Sequence, residues 1–167
     1  MLEGLRNPSI IEELKRLWKG SSERPFTELI SGHKDSPGEL AKIAGRLGYE
    51  VDYEWLRSDQ YWTLKINQDD WDWDDADSVV VEYENNNAEG SILYDIRKLC
   101  NISAPFKIFV GYRDRHDDLL DKIEKLVEKH ERRTDASYII IFGWLHSDEF
   151  SWHAYLIHSN RFKLTPL

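Results

Sequence analysis

The residues best placed to do chemistry are carboxylates on two short extended stretches. In residues 78–84, alternation puts Glu82 and Glu84 on one face of a strand, their α-carbons ~6.5–7 Å apart. Residues 49–56 alternate too, with Tyr49, Val51, Tyr53 and Trp55 on one face and Glu50, Asp52 and Glu54 on the other. If these strands pair with their acidic faces matched, up to four carboxylates gather across a strand spacing of ~4.8 Å. Like charges that close need solvent, protonation or a cation. Mg²⁺ suits such a place, because it takes one or two protein carboxylates plus water and substrate phosphate at ~2.1 Å. The plainer reading is an antiparallel sheet with one solvated face, whose alternating acids are ordinary surface residues.

The charge count sharpens this. Lys and Arg number 22 and Asp and Glu 31, a formal net charge of −9. Residues 66–89 carry nine acids (Asp69, Asp70, Asp72, Asp74, Asp75, Asp77, Glu82, Glu84 and Glu89) and no Lys or Arg, leaving 22 acids against 22 bases elsewhere. A neutral body with one acidic segment is a poor general binder of nucleic acid, which is held by clustered Lys and Arg. The same segment suits a divalent cation.

Other constellations are weaker. Asp70, Asp72 and Asp74 open like a calcium loop, but Asp75 stands where the required Gly should be and Val81 where the closing Glu should be. The histidines and Cys100 lack zinc-ligand spacing. Trp71 and Trp73, set among acids, can stack on bases or contact a partner protein. A lone cysteine excludes an intrachain disulfide and points to the cytoplasm. No apolar run approaches the ~18 residues of a membrane span, and the N-terminus lacks the basic-then-apolar order of a secretory signal.

The elements that must hold these residues are readable from periodicity. Pro8 at a helix start and the stripe Ile10, Ile11, Leu14, Leu17, Trp18 predict a first helix ending at Gly20. Residues 20–35 read as a connection, with one turn around 26–30. Ser36-Pro37-Gly38-Glu39 has the form of a capping box opening a second helix, with Leu40, Ile43, Ala44 and Leu47 on its apolar face and Gly48 closing it. Strands are expected over 49–56, 61–66, 78–84 and 106–112, and helices over 89–100 and about 115–132. In the last helix Asp118/Lys122, Asp121/Lys125 and Glu128/Arg132 are spaced as ion pairs. A hairpin of 137–144 and 151–158 follows, and residues 67–77 read as an acidic turn. This order predicts an α/β or α+β domain with a mixed sheet.

The capped helix, the run Gly48-Tyr49-Glu50-Val51-Asp52-Tyr53-Glu54-Trp55, the run Val80-Val81-Glu82-Tyr83-Glu84-Asn85, the next helix and the strand at 104–110 together resemble the PD-(D/E)xK nuclease superfamily. The resemblance covers about residues 36–112. It implies an α/β fold with a restriction-endonuclease-like core, a mixed central sheet flanked by helices. Residues 1–35 would be an N-terminal helix and connection, and 36–167 a single nuclease-like domain.

In that superfamily an Asp on one strand and a Glu-x-Lys on the next bind Mg²⁺ and position the attacking water. Carried over, Asp52 is the first metal ligand, with Asp70 and Asp77 as competitors nearer to Glu82 in sequence, and Glu82 is the second. Glu84 occupies the Lys position, and a shifted register pairs Glu84 with Asn86 instead. Lys98 on the following helix is the implied replacement for the missing lysine, and Glu39 matches an acid sometimes found on the first helix. The resemblance thus implies a Mg²⁺- or Mn²⁺-dependent nuclease hydrolysing phosphodiester bonds, with Asp52, Glu82, Glu84 and Lys98 catalytic and Asp52, Glu82 and Glu84 on the metal. Its partner would be DNA, weakly bound at this net charge. The alternative is a catalytically inactive binding module on the same fold, engaging a basic protein through the acidic Trp-bearing loop. A third reading is an unrelated α+β protein with a wet acidic sheet face.

Overall fold

Apolar stripes and β-branched runs sort the described residues into four helices and seven strands. In a computed structural model the residues described are 6–20, 38–54, 59–64, 78–146 and 149–167. The helices are α1 (Arg6–Gly20), α2 (Glu39–Arg46), α3 (Glu89–Cys100) and α4 (Asp117–His130). The strands are β1 (Tyr49–Tyr53), β2 (Gln60–Leu64), β3 (Val79–Glu84), β4 (Phe106–Tyr112), β5 (Ser137–His146), β6 (Glu149–His158) and β7 (Thr165–Pro166). They form one sheet in chain order, β1 to β7. β3, β4 and β5 run parallel, and every other neighbouring pair is antiparallel. Parallel neighbours need a crossover, which α3 and α4 supply.

Central parallel strands are covered on both faces, so their sequences are mostly apolar. Val79, Val80 and Val81, Phe106, Ile108, Phe109 and Val110, and Ile139, Ile140 and Ile141 are all buried. On one face Ile92, Ile96 and Leu99 of α3 and Leu119, Ile123 and Val127 of α4 pack with Val80, Phe109, Tyr138, Ile140 and Phe142. On the other, Ile10 and Leu14 of α1 and Leu40, Ile43 and Ala44 of α2 pack with Trp62, Val79, Val81, Ile108, Val110, Ile139 and Ile141. The result is a three-layer α/β architecture with a mixed sheet between helices.

The boundaries of β3, α3 and β4 lie within a residue of those expected, while other elements depart for local reasons. β1 stops at Tyr53, because Glu54 takes a left-handed φ of 59° that no strand continues. Gly48, at φ 86°, makes the turn from α2 into β1, which suits a residue without a Cβ. In α4, Lys122 bonds Glu89 of α3 at 2.7 Å, so the expected Asp118–Lys122 pair is replaced by a tie between helices. Asp118 faces Arg113 instead, at 3.7 Å. β7, which periodicity did not suggest, pairs its two residues with Tyr155 and Leu156 of β6. Ser36, the connection over 21–37, Trp55, and the acidic turn with Asp70, Trp71, Trp73 and Asp77 lie outside the described residues.

A charged pair is buried in the core on the α3/α4 side. Lys107 of β4 bonds the carboxylate of Glu131, just past α4, and the Tyr138 hydroxyl donates to the same carboxylate. Burial pushes the Lys107 ammonium down, against the pull of Glu131.

Candidate functional site

Strand alternation decides which β3 side chains meet α3. Val79 and Val81 turn toward α1 and α2, so Val80, Glu82 and Glu84 turn the other way. Glu82 is only 1% exposed. On α3, with Ile92, Ile96 and Leu99 facing the sheet, Asp95 and Lys98 fall on the flank away from α4. There Lys98 Nζ donates to Glu82 Oε2 at 2.8 Å and lies 3.3 Å from Asp95 Oδ1. The second oxygen, Glu82 Oε1, is buried with no hydrogen-bond partner.

A further acid reaches this place through the pairing of β2 with β3. The ladder turns irregular just before Gln60, where the Asp59 N–H donates to the Val81 carbonyl at 3.1 Å. Asp59 Oδ2 then accepts the Tyr83 N–H at 2.6 Å, doing the work of a backbone carbonyl. That bond fixes the Asp59 carboxylate against β3 beside Glu82. Glu54 closes the row, its N–H donating to the Asp59 carbonyl at 3.2 Å. Beyond the strand, Glu84 Oε1 accepts the Asn86 N–H at 2.7 Å, and Asn86 Oδ1 accepts the Ala88 N–H at 2.9 Å, which ties down the loop into α3.

The electrostatics follow from burial of several acids around one base. Burial drives the Glu82 carboxyl up to about 8, opposed by its bond to Lys98 and reinforced by Asp59 and Asp95. Asp59 is raised by burial, opposed by the Tyr83 N–H and Lys98, with Glu54 and Glu84 adding repulsion. Asp95 is raised by burial as well, with Lys98 opposing and Glu84 reinforcing. For Lys98, burial works against the charge, but Glu82 and Asp95 outweigh it and the ammonium is held above its usual range. Among the described residues, Asp59, Glu82, Glu84 and Asp95 thus share one field with the ammonium group of Lys98. A buried carboxylate oxygen without a donor, in a surplus of negative charge, is a place that favours a cation.

No family model matches this chain, and no curated protein matches it either.

Of the residues singled out in the sequence, Glu82, Glu84 and Lys98 come together on the α3 side of β3. Asp52 stands apart. It is exposed, opposite Tyr61, which in turn faces Val80. It shares the sheet surface with Glu82, but two strands across and two residues along, roughly 12 Å between α-carbons. An ion with bonds of ~2.1 Å is reached more readily from Asp59, whose carboxylate is held on β3 by the Tyr83 N–H. Asp59 and Asp95 take part where sequence reasoning did not place them. Their signals were faint: an acid just before the second predicted strand, and an acid three residues before Lys98 on one helix. Among the described residues no group of three His, Cys, Asp or Glu side chains is arranged to hold a metal ion. Two carboxylates and water suffice for Mg²⁺.

Proposed function

We propose that the chain is a metal-dependent nuclease with a restriction-endonuclease-like core, in which Asp59 rather than Asp52 is the first acid and Glu82 the second. The observation that carries this reading is Glu82 itself: nearly inaccessible, salt-bridged to Lys98 through one oxygen, without a partner on the other, and next to Asp59. The order of elements supports it, since α2 leads into three antiparallel strands and α3 leads to a fourth strand parallel to the third.

Asp59 and Glu82 would hold Mg²⁺ or Mn²⁺, whose hard character matches carboxylate oxygens. Such an ion supplies Lewis acidity toward a phosphoryl oxygen and makes water a better nucleophile. Without it Glu82 keeps its proton at neutral pH, and binding displaces that proton. Lys98 fills the place left by Glu84 in the Glu82-Tyr83-Glu84 run. Its ammonium, held by Glu82 and steadied by Asp95, orients the attacking water and offsets charge building on the phosphate.

A second reading, a catalytically silent module that binds a basic partner, is favoured by the surplus of acids over Lys98. Titration calorimetry with Mg²⁺ and Mn²⁺, followed by cleavage assays on branched, single-stranded and duplex DNA, separates the two. The nuclease reading expects cation binding and cutting, both abolished in Glu82→Ala. It expects Lys98→Met to cut roughly 100-fold more slowly or worse while still binding the cation. Cation binding without cutting would favour the module, and unchanged cation affinity in Glu82→Ala would remove Glu82 from the site.

A further inference from the structure

The flank of α3 that carries Asp95 and Lys98 also carries the most exposed large apolar side chain among the described residues. Tyr94 is 65% exposed, and the other exposed large hydrophobic, Leu167, is at the chain end. The sheet side of α3 is taken by Ile92, Ile96 and Leu99, and the side toward α4 is marked by the Glu89–Lys122 bond. Tyr94 lies one turn before Lys98, about 40° around the helix and about 6 Å along it. Its ring stands in water on the outer surface of α3, one turn before Lys98.

We propose that Tyr94 is a base-stacking residue at the edge of this site, and that the substrate is a single-stranded polynucleotide. The inference rests on the nuclease reading and adds its substrate class. The charge argument selects the strand form. Duplex is held mainly by neutralising closely spaced phosphates with Lys and Arg. Among the described residues the site holds one lysine beside Asp59, Glu82, Glu84 and Asp95, in a chain of net charge −9. Such a surface repels a duplex more than a single strand, whose phosphates are sparser and whose bases are open to stacking. Stacking on an aromatic ring needs no phosphate neutralisation and accepts any base, because every base has a π face. An exposed tyrosine one helical turn from Lys98 supplies the attraction that the charge distribution withholds.

The test is fluorescence anisotropy with dye-labelled single-stranded DNA, single-stranded RNA of the same sequence, and the matching duplex DNA. Ca²⁺ replaces Mg²⁺ so that binding is read without cutting. Wild type should bind a single strand at least roughly tenfold tighter than duplex, and the tighter of the two single strands identifies the sugar. Tyr94→Ala should weaken single-strand binding roughly 5- to 100-fold, whereas Tyr94→Phe, which keeps the ring, should stay within about threefold. Alanine at an exposed helix position does not threaten folding. Wild-type affinity in Tyr94→Ala, or a preference for duplex, overturns the inference and leaves the nuclease reading standing. A wild type that binds none of the three overturns both.

Discussion

A carboxyl group taken out of water keeps its proton unless a positive charge replaces it, and Glu82 illustrates the balance. Lys98 satisfies one oxygen, yet burial still moves the group from its ordinary 4.5 up to about 8. The folded state then holds a proton that the unfolded state releases. The stability this contributes is full below about 4.5 and is lost as the pH rises through about 8. The slope approaches but does not exceed about 1.4 kcal/mol per pH unit. Glu82→Gln keeps the shape and cannot ionise, so it should gain on wild type steadily between pH 5 and pH 8. Urea midpoints at the two pH values measure this directly. Parallel pH profiles for the two proteins would mean that Glu82 ionises normally in the fold. Glu54 is a smaller strain at the same place: its left-handed backbone costs a non-glycine residue on the order of 1 kcal/mol, and it ends β1 level with Asp59.

At the scale of elements, the site exists because β3 and α3 are adjacent in sequence and packed face to face. Both were legible, β3 from its run of valines and α3 from the spacing of Ile92, Ile96 and Leu99. The shared face of Glu82 and Glu84 followed from period two, whereas Lys98 was implied only by the resemblance to the nuclease superfamily. Asp59 did not follow. Its place depends on where β2 begins to pair with β3 and on an irregular ladder bond, neither of which leaves a periodic trace. Lys107 was hidden for a related reason. A lysine in Phe106-Lys107-Ile108 reads as a solvated edge, but its partner Glu131 is far along the chain, beyond α4. This pair joins the start of β4 to the end of α4 with neither side chain in water. Lys107→Met alone leaves a buried carboxylate uncompensated and should cost about 3–5 kcal/mol in chemical denaturation. The double variant Lys107→Met/Glu131→Gln should recover much of that loss. Losses that simply add would show that Glu131 reaches water once its lysine is gone.

Over the whole molecule, binding of the proposed cation would make folding and cation uptake one equilibrium. A divalent ion that binds only the folded protein stabilises it by about 1.4 kcal/mol at ten times its dissociation constant. For a domain of 167 residues that corresponds to a rise in Tm of roughly 3–6 °C. Because the ion must displace the Glu82 proton, the rise should be larger at pH 8 than at pH 6, opposite to the wild type's own loss of stability over that range. Thermal unfolding with and without Mg²⁺ at both pH values, for wild type and Glu82→Gln, tests the coupling. The wild type should show a pH-dependent rise and the variant almost none. The nine acids of residues 66–89 offer a competing, diffuse source of stabilisation through general screening. That source would act equally on both proteins and respond to NaCl at matched ionic strength. An identical Mg²⁺ shift in Glu82→Gln, reproduced by NaCl, would place the cation's effect in that diffuse field and take it away from the carboxylates between β3 and α3.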